Sequence, residues 1–269
     1  MAITILDKIL KAKAARLVDL KKSVSPEDME AKARALPPPE RNFLAALTAP
    51  AVSASGGTGV HVIAEVKKAS PSRGVIRNDF KPLEIAKAYQ AGGATALSIL
   101  TEEDHFQGND RYLRDISRGV ELPTLRKDFI TDAYQVFEAK ILGASAYLLI
   151  VACLKPKALA DLIALGTELG MTPLVEAHTE DEVKAALDAG SPLIGINNRD
   201  LKTFHTDLQI TFKLRSLVPD NIPVISESGI FKPADLKALA DAKVQAALVG
   251  ESLMKQKDVT AALKALLDF

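Results

Sequence analysis

Apolar positions follow one pattern over the first sixty residues and another over the rest of the chain. Ile5, Leu6, Ile9, Leu10, Leu17 and Leu20 fall at helical spacing between Lys, Arg and Asp, which predicts an amphipathic helix. Ser25 ahead of Pro26-Glu27-Asp28 supplies an N-cap and a first-turn proline for a second helix. Pro37-Pro38-Pro39 ends that pattern, and Phe43, Leu44 and Leu47 predict a short third helix. Ser53-Ala54-Ser55-Gly56-Gly57-Thr58-Gly59 reads as a flexible loop, after which the pattern changes.

From His61 onward short β-branched apolar runs alternate with charged loops and helical stretches. The runs cover 62–66, 96–100, 123–126, 146–151, 172–176, 193–197, 223–226 and 246–249, eight in all. They lie roughly 20–35 residues apart, the length of one βα unit. Helical spacing between them shows in Ile85/Ala88/Tyr89, in Leu159/Leu162/Ile163, and in Val136/Ala139/Lys140, where the lysine is expected to mark the wet edge. Gly92, Gly143, Gly170 and Gly190 are the expected helix ends. The pattern predicts an α/β fold, a (β/α)8 TIM barrel with an N-terminal helical extension. A doubly wound open sheet is the alternative, because alternation alone does not show closure. Residues 1–60 are expected to pack on the barrel, and 61–269 to form it as a single structural domain.

Composition narrows the function. With 34 basic and 34 acidic side chains in 269 residues the net charge is zero, and 48% of positions are hydrophobic. That excludes a disordered chain and gives no overall basic excess for nucleic acid. A chain this long buries roughly 75% of its unfolded surface, so it needs no disulfide or metal to hold a core. The one cysteine, Cys153, leaves no intrachain disulfide and fits a reducing compartment. Met1-Ala2-Ile3-Thr4-Ile5-Leu6-Asp7-Lys8 lacks the regions of a secretory signal, and charges interrupt every long apolar stretch, so a cytoplasmic protein without a membrane contact is expected.

The candidate chemistry lies at the ends of the runs, where barrel active sites form. Glu65 and Lys67 share a strand face and are expected to pair. Arg126-Lys127-Asp128, Val175-Glu176, Asn197-Asn198-Arg199-Asp200, Ser226-Glu227-Ser228-Gly229 and Gly250-Glu251-Ser252 follow at the same end of their strands. Charges that begin inside apolar runs, as Glu65 and Glu176 do, require partners when buried. Two lysines, an arginine and three glutamates can satisfy one another and also separate their pKa values for acid/base work. Ser228-Gly229 and Gly250-Glu251 lie where barrel enzymes hold phosphate, with Glu251-Ser252-Leu253-Met254 as a short extra helix. His61, His105, His178 and His205 lack zinc spacing, so no metal is expected. His178, two residues after Glu176, can reach the same mouth or serve as a structural histidine, the simpler reading, and Cys153 reads as a buried bystander.

These residues resemble the indole-3-glycerol-phosphate synthase family of tryptophan biosynthesis. The likeness rests on Ile63-Ala64-Glu65-Val66-Lys67-Lys68-Ala69-Ser70-Pro71-Ser72, Leu125-Arg126-Lys127-Asp128-Phe129, Leu174-Val175-Glu176, Gly195-Ile196-Asn197-Asn198-Arg199-Asp200-Leu201, Ser226-Glu227-Ser228-Gly229-Ile230 and Val249-Gly250-Glu251-Ser252, in family order. It implies a cofactor-free enzyme, a carboxy-lyase. The reaction is closure of the phosphorylated small molecule 1-(2-carboxyphenylamino)-1-deoxyribulose 5-phosphate to indole-3-glycerol phosphate, with loss of CO₂ and water. By the same resemblance Lys127 is the general acid and Glu176 the general base. Lys67 holds the substrate's anionic groups and is a second candidate acid, and Glu65 pairs with it. Asn197 and Glu227 complete the polar floor, and Arg199 orients the substrate or steadies the first loop of the site. Ser228, Gly229, Gly250 and Glu251 hold phosphate through backbone N–H groups, and Ser70 and Phe106 line the anthranilate pocket. Glu251, Gln107 and Ala177 depart from the family pattern, Glu251 standing where several relatives have Ser. No fused phosphoribosylanthranilate isomerase is expected.

Two other functions fit parts of the pattern. A ketose-phosphate isomerase on the same barrel would share the phosphate site but leaves the Glu65/Lys67 pair beside Lys127 and Glu176 unexplained. A non-catalytic binding barrel would be expected to have lost the acid or the base.

Overall fold

The computed structural model describes residues 4–200 and 203–269. Leu201, part of one motif above, and Met1-Ala2-Ile3 lie outside the described residues. Three helices come first: α1 (Ile5–Ser23), α2 (Pro26–Arg34) and α3 (Phe43–Thr48). Then follow β1 (His61–Val66), a small hairpin β2 (Ala69–Ser70) and β3 (Gly74–Val75), α4 (Pro82–Gly92), β4 (Ala96–Leu100), α5 (Asp110–Gly119), β5 (Thr124–Lys127), α6 (Ala133–Ile141) and β6 (Ala146–Ile150). A 3-10 turn (Val151–Cys153) leads to α7 (Pro156–Glu168), β7 (Thr172–Ala177), α8 (Glu180–Asp188), β8 (Ile194–Asn197), α9 (Gln209–Arg215), β9 (Val224–Glu227), α10 (Pro233–Asp241), β10 (Ala246–Val249), α11 (Glu251–Met254) and α12 (Val259–Leu267).

The eight long strands close into a parallel barrel in the order β1-β10-β9-β8-β7-β6-β5-β4. Closure runs through β1, which pairs in parallel with β10 (Ile63 opposite Leu248) and with β4 (Glu65 opposite Ser98). The open-sheet alternative is thereby excluded. Strands covered on both faces need apolar residues at nearly every position, which is why these runs do not alternate cleanly. One apolar cluster lies between strands and helices; a second fills the barrel with Ile63, Leu125, Leu148, Leu174, Ile225 and Leu248. Phe43 and Leu47 of α3 belong to the second cluster, together with strand-start residues Ala96, Ala146 and Ala246, so α3 plugs the N-terminal end of the barrel.

Helix α1 goes to the opposite end. Thr4 and Asp7 form a capping box at its start. Its Lys13 reaches Asp128, just past β5, at 2.6 Å, with both side chains buried. Lys21 meets Asp132 at 2.8 Å, and α2 packs on α6.

The structure corrects three local expectations. Lys140 is not at a wet edge: it is only 7% exposed, and burial pulls its pKa below the ordinary lysine value. Its long aliphatic stem, inserted in an apolar surface, follows the same spacing as a core residue. Gly92 sits inside α4, and the left-handed residue that ends the helix is Gly93, φ 96°. The 53–59 segment forms a compact turn, with Val52 bridged to Thr58 and the Ser53 amide bonded to the Gly57 carbonyl. Among the described residues, no helix is long and apolar enough to cross a membrane.

Candidate active site

Alternation along each strand builds the mouth of the barrel. Ile63, Leu125, Leu174, Ile225 and Leu248 point into the apolar interior. Two residues later on the same faces come Glu65, Lys127, Glu176, Glu227 and Gly250. The last inward position of several strands is therefore polar, and the cavity above the apolar layer is lined by all of them. Arg126, one position out of phase, points between barrel and helices to Asp110 (2.9 Å) and Glu138 (2.7 Å).

Lys127 is the centre of the cluster. Its Nζ lies 2.7 Å from Glu176 Oε2 and 2.8 Å from Glu227 Oε2. Burial disfavours its charge, but Glu176 and Glu227 outweigh that and hold its pKa above the ordinary lysine value. Burial also pushes both glutamates up, yet they separate. Lys127, His178 and the Asn197 amide, which donates to Oε1 at 3.1 Å, bring Glu176 down to about 2. Glu227 stays raised, to about 7, by burial and by Glu176 beside it, against the pull of Lys127. Two carboxyl groups sharing one cation thus have their pKa values pushed apart, the separation that acid/base sites show. Beside them Lys67 pairs with Glu65 at 2.5 Å, and Ser98 donates to the same carboxylate at 3.5 Å.

The rim carries the remaining residues. Ser228 and Gly229 both have left-handed backbones, φ 67° and 80°, an unfavoured state for the serine that turns the chain sharply at the cavity edge. Gly250 packs so closely on Glu65 that a Cβ there would meet the carboxylate. It leads directly into α11, whose first turn no side chain caps. Glu251 turns to a ring of cations: Arg73 at 3.0 Å, Lys255 at 2.6 Å and Arg199 at 3.4 Å. Ser70 and Phe106 line the same cavity, and Phe106 stands 6.2 Å from Phe129 in ring-centroid distance.

All thirteen site residues read from the sequence therefore line one cavity. Sequence reasoning missed Ile5, Leu6 and Ile9 of α1, which wall it, because their spacing shows only a buried face. It also missed Arg73, in the loop carrying the Ser70-Pro71-Ser72 motif, and Glu102, a buried carboxylate accepting from the amides of His105 (2.8 Å) and Phe106 (3.0 Å). Cys153 packs at the edge of the interior cluster; burial and the nearby Glu176 push its thiol up to about 12, so it stays neutral. No group of three or more His, Cys, Asp or Glu is placed to hold a metal ion among the described residues.

Fold and site together define a (β/α)8-barrel enzyme with a cluster of paired lysines and glutamates at the C-terminal mouth and a turn-and-short-helix rim on strands β9 and β10. The family model for indole-3-glycerol phosphate synthase matches residues 6–266. The chain is 46% identical over 258 residues to the indole-3-glycerol phosphate synthase of Chloroherpeton thalassium, covering 96% of this chain and 97% of that one. It is 53% identical over 209 residues to that of Lacticaseibacillus casei, covering 77% and 80%. The chain belongs to the indole-3-glycerol phosphate synthase family. Distant solved structures share the barrel alone: KGPDC from Streptococcus mutans has a TM-score of 0.61 at 14% identity, covering 78% of this chain and 97% of that one. N-acetylmannosamine-6-phosphate 2-epimerase from Clostridium perfringens has 0.58 at 18%, covering 71% and 86%.

Proposed function

We propose that this chain converts 1-(2-carboxyphenylamino)-1-deoxyribulose 5-phosphate to indole-3-glycerol phosphate, losing CO₂ and water, by general acid/base catalysis at the mouth of the barrel. The observation that carries the reading is Lys127 placed between Glu176 and Glu227 beside the Lys67–Glu65 pair. The reaction needs the ketone protonated as the aromatic carbon attacks it, the aryl carboxylate held until CO₂ leaves, and a proton removed as water departs. Lys127, charged at neutral pH, is the acid that protonates the carbonyl oxygen. Glu176, ionised at neutral pH, is the base. Lys67 faces the substrate carboxylate, with Glu65 aligning its ammonium. Asn197 steadies Glu176, and Glu227 holds Lys127 from the other side. Ser70 and Phe106 bound the aromatic pocket. Backbone amides of Ser228, Gly229, Gly250 and Glu251 take the phosphate, and Arg199 is tied to that rim through Glu251.

The scheme uses only side chains and backbone amides of the chain itself and calls for no cofactor. The one cysteine and the neutral charge fit a cytoplasmic enzyme with a small-molecule substrate and no nucleic-acid partner. The helical extension, whose α1 walls the cavity, works with the barrel as one unit. The test is turnover at 280 nm with the carboxyphenylamino-deoxyribulose phosphate, for the wild type and for Lys127→Met and Glu176→Gln. Wild-type formation of indole-3-glycerol phosphate, with both variants slowed by about 10²–10⁴, supports the assignment. An inactive wild type, or variants at full speed, refutes it.

A further inference from the structure

One buried polar atom beside the base is not used by the scheme above. His178 follows β7 directly, in the turn before α8, and its ring Nε2 is buried without a hydrogen-bond partner. That nitrogen lies 3.4 Å from Glu176 Oε1. The other face of the residue is held firmly. Glu182, in the first turn of α8, accepts the His178 backbone N–H at 2.7 Å, and the same oxygen lies 3.3 Å from ring Nδ1. A carboxylate at Nδ1 places a proton there. Nε2 then either carries a second proton, giving an imidazolium that faces the Glu176 carboxylate, or presents a lone pair to a carboxylate oxygen. Only the first arrangement is attractive.

The surrounding charges favour the same state. The groups facing His178 are Glu176 from β7, Glu182 from α8 and Glu227 from β9. Lys127 of β5 is shared between Glu176 and Glu227. The Cys153 thiol, in the turn packed on α8, is neutral. Three carboxyl groups thus face the imidazole while one lysine is shared between two of them, and His178 is the group placed to supply a further positive charge. Burial disfavours that charge, but Glu182, Glu176 and Glu227 outweigh it and raise the imidazole above its ordinary pKa.

We propose that His178 is a positioning residue for the Glu176 base: clamped by Glu182, it presents a protonated Nε2 to Oε1 of Glu176, keeping that carboxylate ionised and its ring-facing oxygen oriented. The inference rests on the assignment of Glu176 as the base. Within the pair the duties divide by oxygen. Lys127 holds Oε2 of Glu176, whereas Asn197 and His178 stand at Oε1. His178 touches no reacting atom; it acts through Glu176.

The experiment joins a titration and a rate profile on the full chain. Imidazole nitrogens of the ¹⁵N-labelled protein are followed by NMR in the wild type, Glu176→Gln and Glu182→Gln, with His178 assigned by the signal lost in His178→Asn. The expected result is a doubly protonated ring at neutral pH in the wild type and a midpoint lower by one unit or more in both glutamine variants, since an opposite charge at this range shifts a pKa by about 1–3 units. By reciprocity the acid limb of the kcat–pH profile moves up by a similar amount in His178→Asn and His178→Gln, while KM at pH 8 stays within about twofold of wild type. An imidazole midpoint unmoved in Glu176→Gln overturns the proposal. So does a kcat lowered equally at every pH in both His178 variants, which is the mark of a purely structural role. Should Glu176→Gln turn over at the wild-type rate, the base assignment fails and this proposal with it. If Glu176→Gln is slow while the His178 profiles overlay the wild type, this proposal fails alone.

Discussion

Replacing Lys127 with Met removes the cation on which Glu176 and Glu227 converge, and the structure sets the size of two separate effects. The first is kinetic: a thioether has no proton to give, so kcat falls by about 10²–10⁴. The second is thermodynamic. The Glu176 carboxyl is held at about 2 against an unperturbed 4.5, burial opposing and Lys127 the largest favourable influence. At about 1.4 kcal/mol per pH unit that depression is worth on the order of 3 kcal/mol, at the lower edge of the about 3–5 kcal/mol observed when one partner of a buried ion pair is removed. A folded-state value below the unfolded one stabilises above pH 4.5, and the contribution is lost as pH falls through about 2. The gap between wild type and Lys127→Met is therefore full at pH 7 and closes on acidification below about 4.5. Urea unfolding followed by far-UV circular dichroism at several pH values reads the second effect, and product formation at 280 nm the first. Near wild-type turnover would remove Lys127 from the acid's role and pass it to Lys67. Unchanged stability at pH 7 would show that the ion pairs around Lys127 are not those of the folded protein.

Other perturbations separate the remaining roles. Glu176→Gln lowers kcat while binding of the anionic substrate stays equal or tightens, because a negative charge is lost; single-turnover kinetics separate the two. Lys67→Met raises KM as well as lowering kcat, since the cation proposed to face the substrate carboxylate goes, and steady-state kinetics show it. Gly250→Ala drives a methyl group into the Glu65 carboxylate and splits the Glu65–Lys67 pair, so kcat/KM falls with little change in the circular dichroism spectrum. Lys13→Met leaves buried Asp128 with Thr101 at 2.6 Å, the Phe129 N–H at 2.8 Å and a more distant Arg126, costing about 3 kcal/mol in urea unfolding at pH 7. Burial raises Asp128, but Lys13 and Arg126 hold it below 3.8, so this loss too shrinks as pH falls below about 4.

Much of this site could be read from the chain because strand ends obey a period of two. Leu125 before Lys127, Leu174 before Glu176 and Ile225 before Glu227 put a core residue and a charged one on the same face, so the direction of each glutamate and lysine followed from the apolar residue two places earlier. The strand runs came within a residue or two for the same reason. Closure of the barrel did not follow, because β1 pairing with β10 joins residues nearly two hundred positions apart and leaves no local trace. Lys140 was misjudged because burial of an aliphatic stem depends on what α2 places over α6, which lies outside the helix's own pattern. His178 was set aside as structural: its spacing from Glu176 was visible, whereas the clamp on its other nitrogen comes from Glu182 across a turn.

The bridge from Lys13 to Asp128 also orders events in time. Its partners are 115 positions apart. At about 5–20 residues per second, ribosomal synthesis delivers the receiving aspartate roughly 6–23 s after the lysine. Over that interval α1 exists as an amphipathic segment of 19 residues without the tertiary packing from which most helical stability comes. Ile5, Leu6 and Ile9, later a wall of the cavity at the barrel mouth, stay uncovered until the middle strands arrive. A nascent chain of this protein thus holds an exposed apolar stripe while its eventual docking surface is still being made, and chaperone capture during synthesis would act on this stripe before any barrel is closed.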